Sequence, residues 1–209
     1  PRRGALWGPP LPHPWAVSTA APELPDQPVQ SFTPTALARA LHDLDTALAD
    51  SANPAYRRRL IAHLLPLAMS HTPRVGEALS VRLNHSLPET PVPLFGGQIR
   101  VPAAQVARWY LLHAIAMNGH GRVPTRFLTW PWTAAPNQAE KYLEPAVAAA
   151  WAVAQLEQSD RSTLAALDTA LSGDLPDWAR GDLLAALHTL DTERKYKRHF
   201  RPAFQYRHQ

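Results

Sequence analysis

The residues with chemistry to offer are mostly arginines, and the densest group of cations closes the sequence. Arg194, Lys195, Lys197, Arg198, Arg201 and Arg207 follow Glu193 with no further acid, and Tyr196, Phe200, Phe204 and Tyr206 are interleaved with them. Cations that grip backbone phosphates, alternating with rings that stack on bases, form a nucleic-acid footprint. A solvated tail has the same composition. Of the 21 Lys and Arg residues only Lys141, Lys195 and Lys197 are lysines. Arginine holds a phosphate with a planar fork where lysine offers a point charge. GC-rich coding produces the same usage, so the net charge of +4 permits a nucleic-acid partner without establishing one.

Several other chemistries are excluded. The absence of cysteine rules out disulfides and thiolate-bound zinc. No glycine loop for phosphates, no G-x-S-x-G elbow and no histidine pair at metal-ligand spacing with a carboxylate partner occurs. Neither a metal nor another cofactor is expected. No apolar stretch reaches membrane-spanning length and no charged-then-apolar leader opens the sequence, so the expected setting is cytoplasmic, without a membrane.

Three strings matter through their order. The first, MSHTPRVGEALSVRL, carries Arg74, Gly76, Glu77 and Leu79. The second, QSDRSTLAALDTALSGDLPDW, carries Arg161 with Thr163 and Ala165, and ends at Gly173-Asp174-Leu175. The third, LLAALHTLDTERKY, carries His188 and Tyr196. In this order they resemble the signature boxes of the tyrosine recombinases, the phage-integrase family. There, an arginine precedes a small residue, a glutamate and a leucine-rich helix; an H-x-x-R step opens a second helix; and a histidine shortly precedes the nucleophilic tyrosine. The resemblance covers roughly residues 31–200. It departs from the family at Gln158, which stands in the histidine position of H-x-x-R. It departs again at Leu187, where the family has a small residue, and in the spacings between Arg161, His188 and Tyr196.

The resemblance implies a specific chemistry. Arg74 and Arg161 would clamp the equatorial oxygens of one phosphate, His188 would hydrogen-bond them or assist proton movement, and Tyr196 would carry a 3′-phosphotyrosyl link. The family usually protonates the leaving 5′ oxygen from a lysine on a β ribbon. The corresponding segment here, VPLFGGQIRVP, holds Arg100 and no lysine, and a guanidinium keeps its proton at any workable pH. Arg100 is therefore assigned to DNA contact together with the tail cations. The expected partner is double-stranded DNA, bound by a homo-oligomer that cuts and rejoins a strand. The alternative is a catalytically inactive helical subunit of a nucleoprotein assembly. Without the resemblance, Arg74 reads as a solvated loop residue, Arg161 as the first residue after the N-cap Asp160 of an ordinary amphipathic helix, and Tyr196 as a packing or stacking tyrosine.

These residues need a scaffold, and the hydrophobic pattern predicts a mainly α domain with one small β ribbon. Prolines crowd residues 1–31, which read as an extended arm; the helical domain spans 32–196 and the basic aromatic tail 197–209. Thr33 and Pro34 open a first helix with a stripe of Leu37, Leu41, Leu44 and Leu48. Asn53-Pro54 announces a second, and a third covers Val75–Leu83. Gly96-Gly97 predicts a hairpin. Helices follow in AAQVARWYLLHAIAMNG, NQAEKYLEPAVAAAWAVAQL, DRSTLAALDTALSG and DWARGDLLAALHTL.

Overall fold

The computed structural model describes residues 32–94, 99–129, 144–193, 195, 196 and 199. Among these are seven α-helices, one 3-10 turn and a two-stranded antiparallel ribbon. The N-terminal arm, the Gly96-Gly97 turn and the segment 130–143 lie outside the described residues, as does the tail apart from His199.

Helix α1 (Pro34–Ala49) starts as its sequence dictates. Pro34 presets φ at the first position, and the Thr33 hydroxyl accepts from the Ala36 amide at 3.2 Å. Its leucine stripe buries Leu37, Leu44 and Leu48 against α2 (Tyr56–Ala68). α2 begins two residues after Asn53-Pro54, because Asn53 forms a turn of its own: its side-chain oxygen accepts from the Ala55 amide and its carbonyl from the Tyr56 amide. α3 (Pro73–Arg82) begins at Pro73, earlier than the apolar pattern alone suggests, so Arg74 lies inside its first turn rather than in a loop.

Helix α4 (Ala103–Asn118) is apolar nearly all round and is buried nearly all round, packed by α2, α3 and α5. α5 (Pro145–Gln155) is its alanine-rich partner, whose small side chains permit close approach to α4 and to α7. Across the α4–α5 seam His113 lies between Trp109 and Trp151, with centroids 4.5 and 4.6 Å away. The sequence pattern places a helix over residues 137–156; the described helix runs over Pro145–Gln155, and residues 137–143 lie outside the described residues.

α6 (Arg161–Ser172) and α7 (Asp177–Leu190) are joined by Gly173–Pro176 and packed on each other. Arg180, near the start of α7, donates to the carbonyl of Leu171 near the end of α6 at 3.0 Å. The pair is thus an antiparallel helical hairpin. The ribbon pairs β1 (Pro91–Leu94) with β2 (Ile99–Pro102), setting Val92 opposite Val101 and Pro93 opposite Arg100. Both valines are buried and Arg100 is exposed. No helix among the described residues is long and apolar enough to cross a membrane.

One ion pair fixes α3 to α1. Arg82 is 9% exposed, and its guanidinium meets both carboxylate oxygens of Asp45 at 2.7 and 2.6 Å, while also donating to the Ala78 carbonyl. Asp45→Ala would leave that cation buried without its partner. The expected loss is about 2–3 kcal/mol, below the range for a fully buried pair because Asp45 reaches water. Urea unfolding with an unchanged slope would measure it.

Candidate phosphate-binding site

The site is built where three helix ends meet. α4 ends at Gly119, whose φ of 76° is the left-handed conformation that glycine adopts without penalty. The preceding Asn118 is 1% exposed and donates through Nδ2 to the Leu67 carbonyl and to Ser70 Oγ, tying the end of α2 to the end of α4. The Asn118 carbonyl lies 3.3 Å from Nδ1 of His71, in the turn that opens α3.

From there the chain runs along α3 as His120–Val123. A methyl group at Gly76 would lie 2.3 Å from the His120 carbonyl oxygen, and one at Gly121 would lie 2.5 Å from the Gly76 carbonyl oxygen. Loop and helix touch backbone to backbone, which explains the small residue two positions after Arg74. Ser80 closes the contact: its hydroxyl donates to the Gly76 carbonyl and accepts from the Arg122 amide, both at 2.8 Å.

The same loop reaches the start of α6. Arg122 pairs with Asp160 at 3.0 Å. Gln158 grips Val123 with its amide, accepting from the Val123 N–H and donating to the Val123 carbonyl, both at 3.0 Å, and donates to Thr163 Oγ1 at 2.8 Å. Asp160 caps α6 by accepting from the amides of Ser162 and Thr163. Partial burial raises its pKa, but hydrogen bonds from Ser162 and Thr163 and the Arg122 charge outweigh that and hold it at about 2.

Arg74 and Arg161 are each exposed and each lie in the first turn of a helix whose start this loop contacts through other residues. Neither guanidinium makes a hydrogen bond or ion pair among the described residues. At α3, which has no capping side chain, Arg74 sits where unsatisfied backbone N–H groups concentrate positive potential, which disfavours a cation and favours an anion; at α6 the Asp160 carboxylate already satisfies the Ser162 and Thr163 amides. His188 lies exposed in the last turn of α7, which the hairpin brings to the same end of the molecule as the start of α6. Tyr196 is half-buried against the core, and its amide donates to the buried Asp191 carboxylate at 2.8 Å. No described hydrogen bond joins Arg74, Arg161 and Tyr196 to one another.

The other assigned cations divide. Arg100 is exposed on β2, and Lys195 is exposed and paired with Glu193 at 2.7 Å. Arg194, Lys197, Arg198, Arg201 and Arg207 lie outside the described residues. A cleft of about 290 Å³ lies elsewhere, beside Asp45, Leu48 and His85, and none of the candidate residues lines it. Sequence reasoning missed His71, His120 and Arg122 at the Arg74 end. The signal was available in Asn118-Gly119-His120-Gly121-Arg122, where two glycines punctuate a basic string directly after a helix.

Gly76→Ala is expected to destabilise the protein by about 1–3 kcal/mol, because backbone must move on both sides; denaturant unfolding measures it. Asp160 has a folded pKa of about 2 against an ordinary 3.8. Its capping contribution is therefore complete above pH ~4 and lost as pH falls through about 2. The melting-temperature gap between the wild type and Asp160→Ala should accordingly be widest near neutral pH and close across that acid window.

Compared with models of known families, with curated proteins and with solved structures, the chain has no match in any of the three.

Proposed function

We propose that this chain is a DNA-binding protein of the tyrosine-recombinase type. It binds duplex DNA as an oligomer, and Tyr196 Oη attacks a strand phosphorus, forming a 3′-phosphotyrosyl bond as the 5′ oxygen leaves and takes a proton. Attack by a 5′ hydroxyl reverses the step and releases the tyrosine. Arg74 and Arg161 hold the phosphate oxygens, and His188 assists from the end of α7.

The observation that carries this reading is the pair of arginines. Two exposed cations stand in the first turns of two different helices whose starts the same 120–123 loop contacts, and at α3, which has no capping side chain, the helix dipole disfavours its cation unless an anion is bound. The order of the motifs along the chain adds the tyrosine and the histidine.

One observation favours the non-catalytic alternative, a recombinase-like domain kept for DNA binding. Gln158 occupies the position of the family's second histidine, and its amide is fully engaged with Val123 and Thr163. It supports the loop and has nothing left to offer a phosphate. The ribbon also has no lysine to protonate the leaving oxygen.

The test is covalent capture. Purified protein is incubated with nicked duplexes and resolved on denaturing gels beside Tyr196→Phe. An adduct that resists denaturant and vanishes in the variant is the expected result. Arg74→Ala and Arg161→Ala should each lower its yield, by about 10²-fold or more if they stabilise the transition state. Salt-sensitive DNA binding by both proteins with no adduct from either would establish the binding-only alternative.

A further inference from the structure

Beyond α7, Tyr196 and His199 lie back against the helical domain. Asp191, 4% exposed at the end of the helix, accepts from the Lys195 amide through Oδ1 at 2.9 Å and from the Tyr196 amide through Oδ2 at 2.8 Å. The Tyr196 carbonyl in turn accepts from the His199 amide at 3.2 Å. His199 then reaches across to α6, where Nε2 meets Asp168 Oδ1 at 2.7 Å. Both side chains of this pair are largely covered, at 11% and 19% exposure.

We infer that Asp168 is a positioning residue for Tyr196, acting through His199. The Tyr196 backbone is held on both sides, by Asp191 before it and by His199 after it, and the His199–Asp168 contact anchors that turn to a different helix. A carboxylate accepts only, so His199 must present Nε2–H to it. That hydrogen bond is charge-assisted and partly shielded from water, the setting in which such a contact restrains a short segment most strongly. The ring of Tyr196 packs against the core on the same turn. A phenol meant to reach one phosphorus atom needs this kind of restraint, because small displacements at a reacting centre are costly. The role in catalysis rests on the reading of Tyr196 as a nucleophile; the restraint itself does not.

The two are separated by reading the tyrosine directly. Full-length wild type, Asp168→Ala and Asp168→Asn are treated with tetranitromethane, and nitration of Tyr196 is followed by peptide mass spectrometry. The urea-unfolded protein gives the upper limit, and circular dichroism verifies that each variant is folded. Asn retains an oxygen that can accept from Nε2–H, so Asp168→Asn should stay close to wild type. Asp168→Ala should raise the Tyr196 nitration rate by about tenfold or more, the loosening expected from losing one hydrogen bond to a charged group. Equal rates in wild type and Asp168→Ala, or equal rates in the two variants, would overturn the inference. In the covalent-capture assay Asp168→Ala should slow adduct formation while DNA affinity is unchanged, and Asp168→Asn should restore it. An unaltered adduct rate despite faster nitration would also overturn the positioning role. If the wild type forms no adduct at all, the strand-transfer reading fails, and the nitration contrast still decides whether Asp168 restrains Tyr196.

Discussion

A helix without a polar face cannot lie on a surface, and α4 is such a helix. Apolar groups around nearly its whole circumference must be removed from water, so α2, α3 and α5 pack against its sides, while α1 covers α2 and α7 covers α5. That demand sets the order of the layers. It also sets where the chain can next be polar: α4 must surface at its C-terminal end, and there Asn118 and Gly119 close it off. The loop that follows runs over α3 and α6 because both are already docked, directly or through their neighbours, on the same buried core.

Placing the two arginines at helix starts has an energetic consequence of its own. A basic residue in the first turn works against the helix dipole, and neither α3 nor α6 has an acid within its first turn to offset it. α6 is compensated by its cap, since Asp160 supplies a full negative charge that Arg122 then shares. α3 has no side-chain cap at Thr72 and depends on packing instead, through Val75, Leu79 and the pairing of buried Arg82 with Asp45. The two halves of the site are therefore stabilised differently, one by local electrostatics and the other by tertiary contact.

Much of this was legible in the sequence. The leucine stripe of α1, its Thr33-Pro34 start, the glycine end of α4 and the Asp160 cap are local signals with local causes, and they stand where expected. The boundary that moved is that of α3, which Pro73 extends backwards over Arg74; α2 starts at Tyr56, with its apolar string. The site was half legible. The residue types and their order marked Arg74 and Arg161, but the loop that joins them depends on Gly76 meeting His120 across 44 positions of sequence, which no periodicity records. Gln158 read as a missing histidine; only its contacts with Val123 and Thr163 reveal a structural duty.

The ribbon carries a restriction of a different kind. With prolines at 91 and 93, the only amide hydrogens in β1 are those of Val92 and Leu94, and the pairing with β2 needs them. The outer margin of β1 is left with oxygens and no donors, so a third strand laid along it would find half of its hydrogen bonds impossible to make. Another strand therefore cannot extend the ribbon by full pairing along that margin, and the cation the ribbon does present, Arg100, stays exposed on β2.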